Sequence, residues 1–127
     1  MLANTDAIAT VGVRDMAAAR TFYGEVLALR EDSERSSYPD FLTYRSGATR
    51  VQVYQSDYAG TNKATAITWD LGSDLAAVVA ALAAKGVRFE HYDMPGMRLE
   101  GDIHVADGMK AAWLKDPDGN VLNLNGT

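Results

Sequence analysis

The run Asp15-Met16-Ala17-Ala18 returns later in the chain as Asp74-Leu75-Ala76-Ala77, and each copy opens an amphipathic stretch that follows a strand-like segment. This repeat constrains the fold more than any other feature, because a unit of half this length cannot bury a sufficient core alone. In the first copy, Met16, Ala19, Phe22, Tyr23, Val26 and Leu27 recur at helical spacing, and Asp15 is placed to cap the helix start. In the second, Leu75, Val78, Val79, Leu82 and Ala83 share a face. Asp74 stands before it, and Gly86 follows where a left-handed residue is wanted.

The remaining apolar segments read as strands: 7–13, 40–45, 50–56, 64–71, 87–92, 109–115 and 120–125, with a further short one at 28–34. Ser46-Gly47-Ala48-Thr49 and Asp116-Pro117-Asp118-Gly119 have the chemistry of hairpin turns. The order is strand, helix, three strands, and then the same again. An α+β fold of two tandem βαβββ modules follows, with module one at about 5–56 and module two at about 64–125 of a single domain, 1–127, whose sheets surround a cleft.

Composition narrows the function classes. Twelve Lys and Arg against 17 Asp and Glu give a net charge of −5, which argues against a nucleic-acid partner. Cysteine is absent, removing disulfides, thiol catalysis and Cys-ligated metals together. The longest apolar run, Leu75–Ala84, is far shorter than the roughly 20 residues a bilayer span needs. Residues 1–6 have neither a basic nor an apolar region, so a cytoplasmic location without membrane attachment is expected. No phosphate-cradling glycine string and no G-x-S-x-G elbow occurs.

Val13-Arg14-Asp15-Met16 after a strand, followed by Phe22-Tyr23, resembles the first module of the vicinal oxygen chelate superfamily. That group includes glyoxalase I, the bleomycin and fosfomycin resistance proteins and the extradiol dioxygenases. Lys115-Asp116-Pro117-Asp118-Gly119-Asn120-Val121-Leu122 is similar to the last hairpin of the same family. The resemblance spans essentially the whole chain. It implies the glyoxalase/bleomycin resistance/dioxygenase fold, a small-molecule cleft and a symmetric homodimer.

It also implies three metal-ligand positions, which fall here on Ile8, on Ala66 (or Thr65) and on Asn123. Ile8 and Ala66 have no donor atom, and Asn123 offers only a neutral amide oxygen. The family's metal centre is therefore expected to be missing, and no cofactor is expected in its place.

Other residues must then carry any function. His91 and His104 are the only histidines, flanked by Glu90, Asp93, Glu100 and Asp102. Histidine ordinarily changes charge near neutral pH, which suits an acid/base role, and a His-His-carboxylate set can also hold a metal. Residues 93–108 read as a long, glycine-bearing loop, a lid that would carry His104 to a ligand. Tyr54, Tyr92 and Trp113 are candidate ligand-stacking rings, with Lys115 and Asn123 as polar contacts. Trp69, alternating with Ile67 and Leu71, reads as core. Which face of each strand lines the cleft stays open, because a slip of one residue exchanges the two faces.

Three functions of different class are consistent with these residues, two of them resting on the cleft. One is a binding protein that holds a small hydrophobic or cationic molecule without a metal. The other is a lyase or isomerase of the same fold, using His104 and His91 as acid/base groups or as a relocated metal site. A third is a regulatory interaction domain with a vestigial cleft.

Overall fold

Asp15 caps its helix as its position predicts: Oδ1 accepts from the Ala18 N–H at 3.0 Å, satisfying one of the orphan donors of the first turn. The computed structural model describes residues 1–36 and 40–127. These divide into two units, Met1–Asn62 with Pro117–Asn120, and Lys63–Asp116 with Val121–Thr127.

The first unit contains β1 (Ala9–Val13), α1 (Met16–Arg20), β2 (Arg30–Glu31), β3 (Phe41–Ser46) and β4 (Thr49–Gln55). Its sheet has the order β1-β4-β3-β2, with β1 and β4 parallel and the other pairs antiparallel. Val11, Val13, Leu42, Tyr44, Val51 and Val53 are buried, as are Ala19, Phe22 and Tyr23 of the helical segment. The helix departs from the regular form expected through Leu27. After Arg20 it widens into a π-helix, Thr21–Val26, and the Leu27 N–H reaches five residues back to Phe22 O at 2.9 Å. Ala28 then turns the chain with φ at +58°. That turn, and the one after Asp32 in which the Arg35 and Ser36 N–H groups both bond to Asp32 O, shorten the strand expected at 28–34 to two residues.

The Pro117-Asp118-Gly119-Asn120 part of the last turn belongs to this first unit and is held by its last residue. Asn120 donates to Gly12 O at 2.7 Å and accepts from the Gly60 N–H at 3.4 Å. Gly60 has φ +66°, and a Cβ there would overlap Asp118 O, so only glycine passes this point.

The second unit contains β5 (Thr65–Asp70), α2 (Leu75–Ala84), β6 (Phe89–Glu90), β7 (Arg98–Glu100), β8 (Ile103–Ala106), β9 (Met109–Lys115) and β10 (Val121–Gly126). The sheet order is β5-β10-β9-β8-β7, and β6 also pairs with β9. The helix buries Leu75, Val79 and Leu82; Val78 is half-buried and Ala83 exposed, a narrower stripe than the spacing predicts. Asp74 makes no capping bond, because a 3-10 turn over Gly72–Asp74 already places it in helical geometry. Gly86 does end the helix, at φ +91°. Its N–H bonds to Ala83 O and that of Val87 to Leu82 O, the paired bonds of a Schellman motif.

The stretch 93–108 is not a loop lid. It holds the β7–β8 hairpin around Gly101-Asp102, and Asp107-Gly108 joins β8 directly to β9. Both dipeptides are hairpin signals between alternating residues, and His104 is consequently a strand residue.

Candidate ligand site on the second unit

Register settles which residues share a face, since directly opposed strand residues point the same way. Leu114 is opposite Phe89 and Leu122, and all three are buried together with Ala112 and Leu124 on the side packed by α2. Trp113 is opposite Glu90 and Asn123, and Ala111 is opposite His104, so Trp113, Glu90, Asn123 and His104 share the other face. Lys115 follows two residues after Trp113 and joins them. Ile67 and Trp69 are opposite Leu122 and Leu124, on the core side. Ile67 is buried and Trp69 half-buried there.

His104 is the centre of this face, with 1% of its surface exposed. Its Nε2 accepts the Tyr92 backbone N–H at 2.9 Å. An acceptor nitrogen must keep its lone pair, so the neutral ring carries its proton on Nδ1. Nδ1 is itself buried and has no partner among the described residues. Two aromatic rings flank the imidazole. Trp113 meets it edge to face at 4.9 Å between centroids, and the Tyr92 ring lies at 6.1 Å and nearly parallel. Tyr92 and Trp113 are 5.6 Å apart, and the indole N–H of Trp113 donates to Thr65 Oγ1 at 3.2 Å.

Polar groups border the rings. His91 Nε2 is 2.8 Å from Asp102 Oδ1, and its ring lies 6.4 Å from that of His104. Lys115 Nζ is 3.0 Å from Glu90 Oε1, and this hydrogen bond and ion pair hold the ammonium above the usual lysine range. Burial, with the Glu90 charge adding to it and Lys115 partly opposing, pushes the Tyr92 phenol above the usual tyrosine range. The phenol therefore stays protonated, a donor as well as an acceptor.

Of the residues singled out from sequence, His91, Tyr92, His104, Trp113 and Lys115 come together here. Asn123 shares the face but is 4% exposed, and its amide donates to Ala112 O at 3.3 Å, which occupies it in the sheet. Tyr54 lies on β4 of the first unit, opposite Phe41, and is 38% exposed. Thr65 as the partner of Trp113 was not readable from sequence, since the two are 48 positions apart and meet only through β10.

The donor set does not fit a metal. Ile8 and Ala66 provide no ligand atom, the Thr65 hydroxyl is engaged by Trp113, and the Asn123 amide is engaged by the backbone. Among the described residues no three His, Asp or Glu side chains stand together as a cation would require. His91 and His104 turn their Nε2 atoms to different partners, Asp102 and the Tyr92 N–H.

Residues 6–124 match the profile of the Glyoxalase/Bleomycin resistance protein/Dioxygenase superfamily. Among solved structures, the chain is similar to a lactoylglutathione lyase from Agrobacterium tumefaciens (TM-score 0.71, 15% identity, covering 97% of this chain and 93% of that one). It is similar to a glyoxalase/bleomycin resistance protein from Catenulispora acidiphila (TM-score 0.68, 20% identity, covering 96% and 97%). A third is the fosfomycin resistance protein FosX from Listeria monocytogenes (TM-score 0.67, 14% identity, covering 100% and 95%). At these identities the likeness is one of fold. Among proteins of curated function, none matches by sequence. No helix is long and apolar enough to cross a membrane, among the described residues.

Proposed function

The chain belongs to the Glyoxalase/Bleomycin resistance protein/Dioxygenase superfamily, and from that footing we propose that it binds a small, flat, largely apolar molecule against Trp113, Tyr92 and His104, without a metal centre. The observation that carries this reading is the buried Nδ1 of His104, a hydrogen-bond donor left without a partner between two aromatic rings. A buried donor left unpaired costs about 1–3 kcal/mol, which a ligand acceptor such as a carbonyl oxygen would recover. The rings supply the apolar contact, and the Tyr92 phenol is a second polar anchor. The net charge of −5 favours a cation at long range, but Glu90 and Asp102 are already engaged by Lys115 and His91. That supports a neutral ligand over a cationic one.

Titration with a planar carbonyl compound such as coumarin, read by tryptophan fluorescence, tests this. Saturable quenching is expected, lost in Trp113→Phe, and weakened about tenfold in His104→Phe, the effect of one buried hydrogen bond. Quenching unchanged in both variants would remove the assignment.

The His91–Asp102 pair favours a second reading, in which a carboxylate orients an exposed imidazole for acid/base chemistry of the lyase or isomerase type. Here the ligand would be recovered altered, and His91→Ala would abolish the change while leaving binding intact. A symmetric homodimer in the cytoplasm is part of both readings; light scattering that gives a monomer mass would strike out the dimer.

A further inference from the structure

The first unit's sheet carries a feature that folding does not account for. Arg45 on β3 is directly opposite Arg30 on β2 and directly opposite Arg50 on β4. Three guanidiniums thus form a row across three adjacent strands on one face. Like charges in opposed positions destabilise a sheet, and here two such pairs share one residue. Arg35, in the turn after β2, adds a fourth.

The counter-charge is one carboxylate. Asp32 is 8% exposed, and its Oδ2 lies 3.6 Å from Arg45 Nη2, 3.7 Å from Arg35 Nε and 4.0 Å from Arg50 Nε. Charge-assisted N–H···O bonds run to about 2.7–2.9 Å. At the observed distances Asp32 gathers the arginines without saturating their donors. The other acidic side chains nearby in sequence do not compensate. Glu31 is held by Arg20 at 2.7 Å, and neither Glu34 nor Asp40 comes within ion-pair distance of these arginines among the described residues. Arg35 and Arg45 keep most of their side-chain surface exposed, and Arg50 about a third.

We infer that this row is a binding site for a compact dianion of the phosphate or phosphonate class, carried on a small molecule. Guanidinium forks match such oxyanions bidentately, and donors from three strands suit a tetrahedral group with three oxygens better than a planar carboxylate. The surplus of cations over the single Asp32 charge suits a dianion. The chain's net charge of −5 opposes a polyanion such as nucleic acid, so the ligand is small. The inference does not rest on the function proposed above, since it uses the other unit and none of the same residues.

Titration of the whole chain with inorganic phosphate, methylphosphonate and acetate at constant ionic strength, read on the arginine Nε–H resonances, tests it. Phosphate and methylphosphonate are expected to saturate at one per chain, shifting Arg45 and Arg50, with acetate weaker. Arg45→Gln, an exposed change that leaves the core intact, should weaken phosphate about tenfold, the effect of losing one charge-assisted contact. Asp32→Asn, which removes the competing carboxylate, should tighten it. Trp113→Phe should leave it unchanged. Absence of saturation below about 20 mM phosphate, in the millimolar range of weak single-anion sites, overturns the site. Equal affinity in Arg45→Gln and Arg50→Gln overturns it as well. Acetate binding as tightly as phosphate overturns the dianion class.

Discussion

The Tyr92 backbone N–H points at Nε2 of His104 across 2.9 Å, so the main chain leaving β6 selects the tautomer of a ring on β8. The selected form carries its proton on Nδ1, on the buried side that has no protein partner among the described residues. Long-range proton–nitrogen NMR at neutral pH should report a protonated Nδ1 and an unprotonated Nε2. His104→Ala, which strands the Tyr92 N–H and opens space beside Trp113, should lower unfolding stability by about 3 kcal/mol in urea. The opposite tautomer would break the link between this bond and the proposed ligand contact.

Tyr44 is 1% exposed, and its hydroxyl has no partner among the described residues. Tyr44→Phe keeps the ring packed beside Tyr23 and Gly24 and should raise stability by about 1 kcal/mol. Burial, reinforced by Glu31 and partly opposed by Arg20, pushes the Tyr44 phenol above its ordinary range. The folded chain then keeps this proton to higher pH than the unfolded chain. Its contribution is full below about pH 10 and is lost as pH rises through the folded value. Denaturation midpoints should fall above pH 10, and less steeply in Tyr44→Phe than in the native chain.

Ala28 is the one non-glycine residue with positive φ among those described, at +58°. A Cβ in that conformation costs roughly 1–2 kcal/mol, part of which glycine returns through its freer unfolded state. Ala28→Gly should therefore stabilise the chain by about 0.5–1 kcal/mol in thermal melts. A loss of stability would mean that the methyl group earns more in packing than the backbone loses.

Lys115 holds its proton more firmly than an ordinary lysine because Glu90 bonds to it. Near pH 10 less of it is free amine, so amine acylation should modify Lys115 slowly in the native chain and faster in Glu90→Gln, as mass spectrometry of partially modified protein would show.

What was readable from the residues alone was local or repeated. The Asp15 cap, the Gly86 stop, the hairpin turns at Gly47 and Asp116–Gly119, and the strand–helix opening that recurs in both halves all depend on a few neighbouring positions. Their signals survive without knowledge of the partner strand. The second half, however, adds the β7–β8 hairpin to the three strands expected after its helix. The β7–β8 hairpin was also marked, by Gly101-Asp102, but the surrounding glycines and Pro95 read more strongly as loop.

Tertiary structure decided the faces. Nothing in the order of residues says that Glu90 opposes Trp113, that Thr65 reaches the indole, or that Arg45 stands between Arg30 and Arg50. These follow from strand register, which depends on pairings between residues far apart in the chain, and a slip of one position reverses them all. The charge balance shows the difference most plainly. The net charge of −5 is a property of the sequence and disfavours long polyanions. Where three arginines gather around one buried carboxylate, with Arg30 opposite one of them, is a property of the sheet, because opposed strands bring together charges that composition only sums.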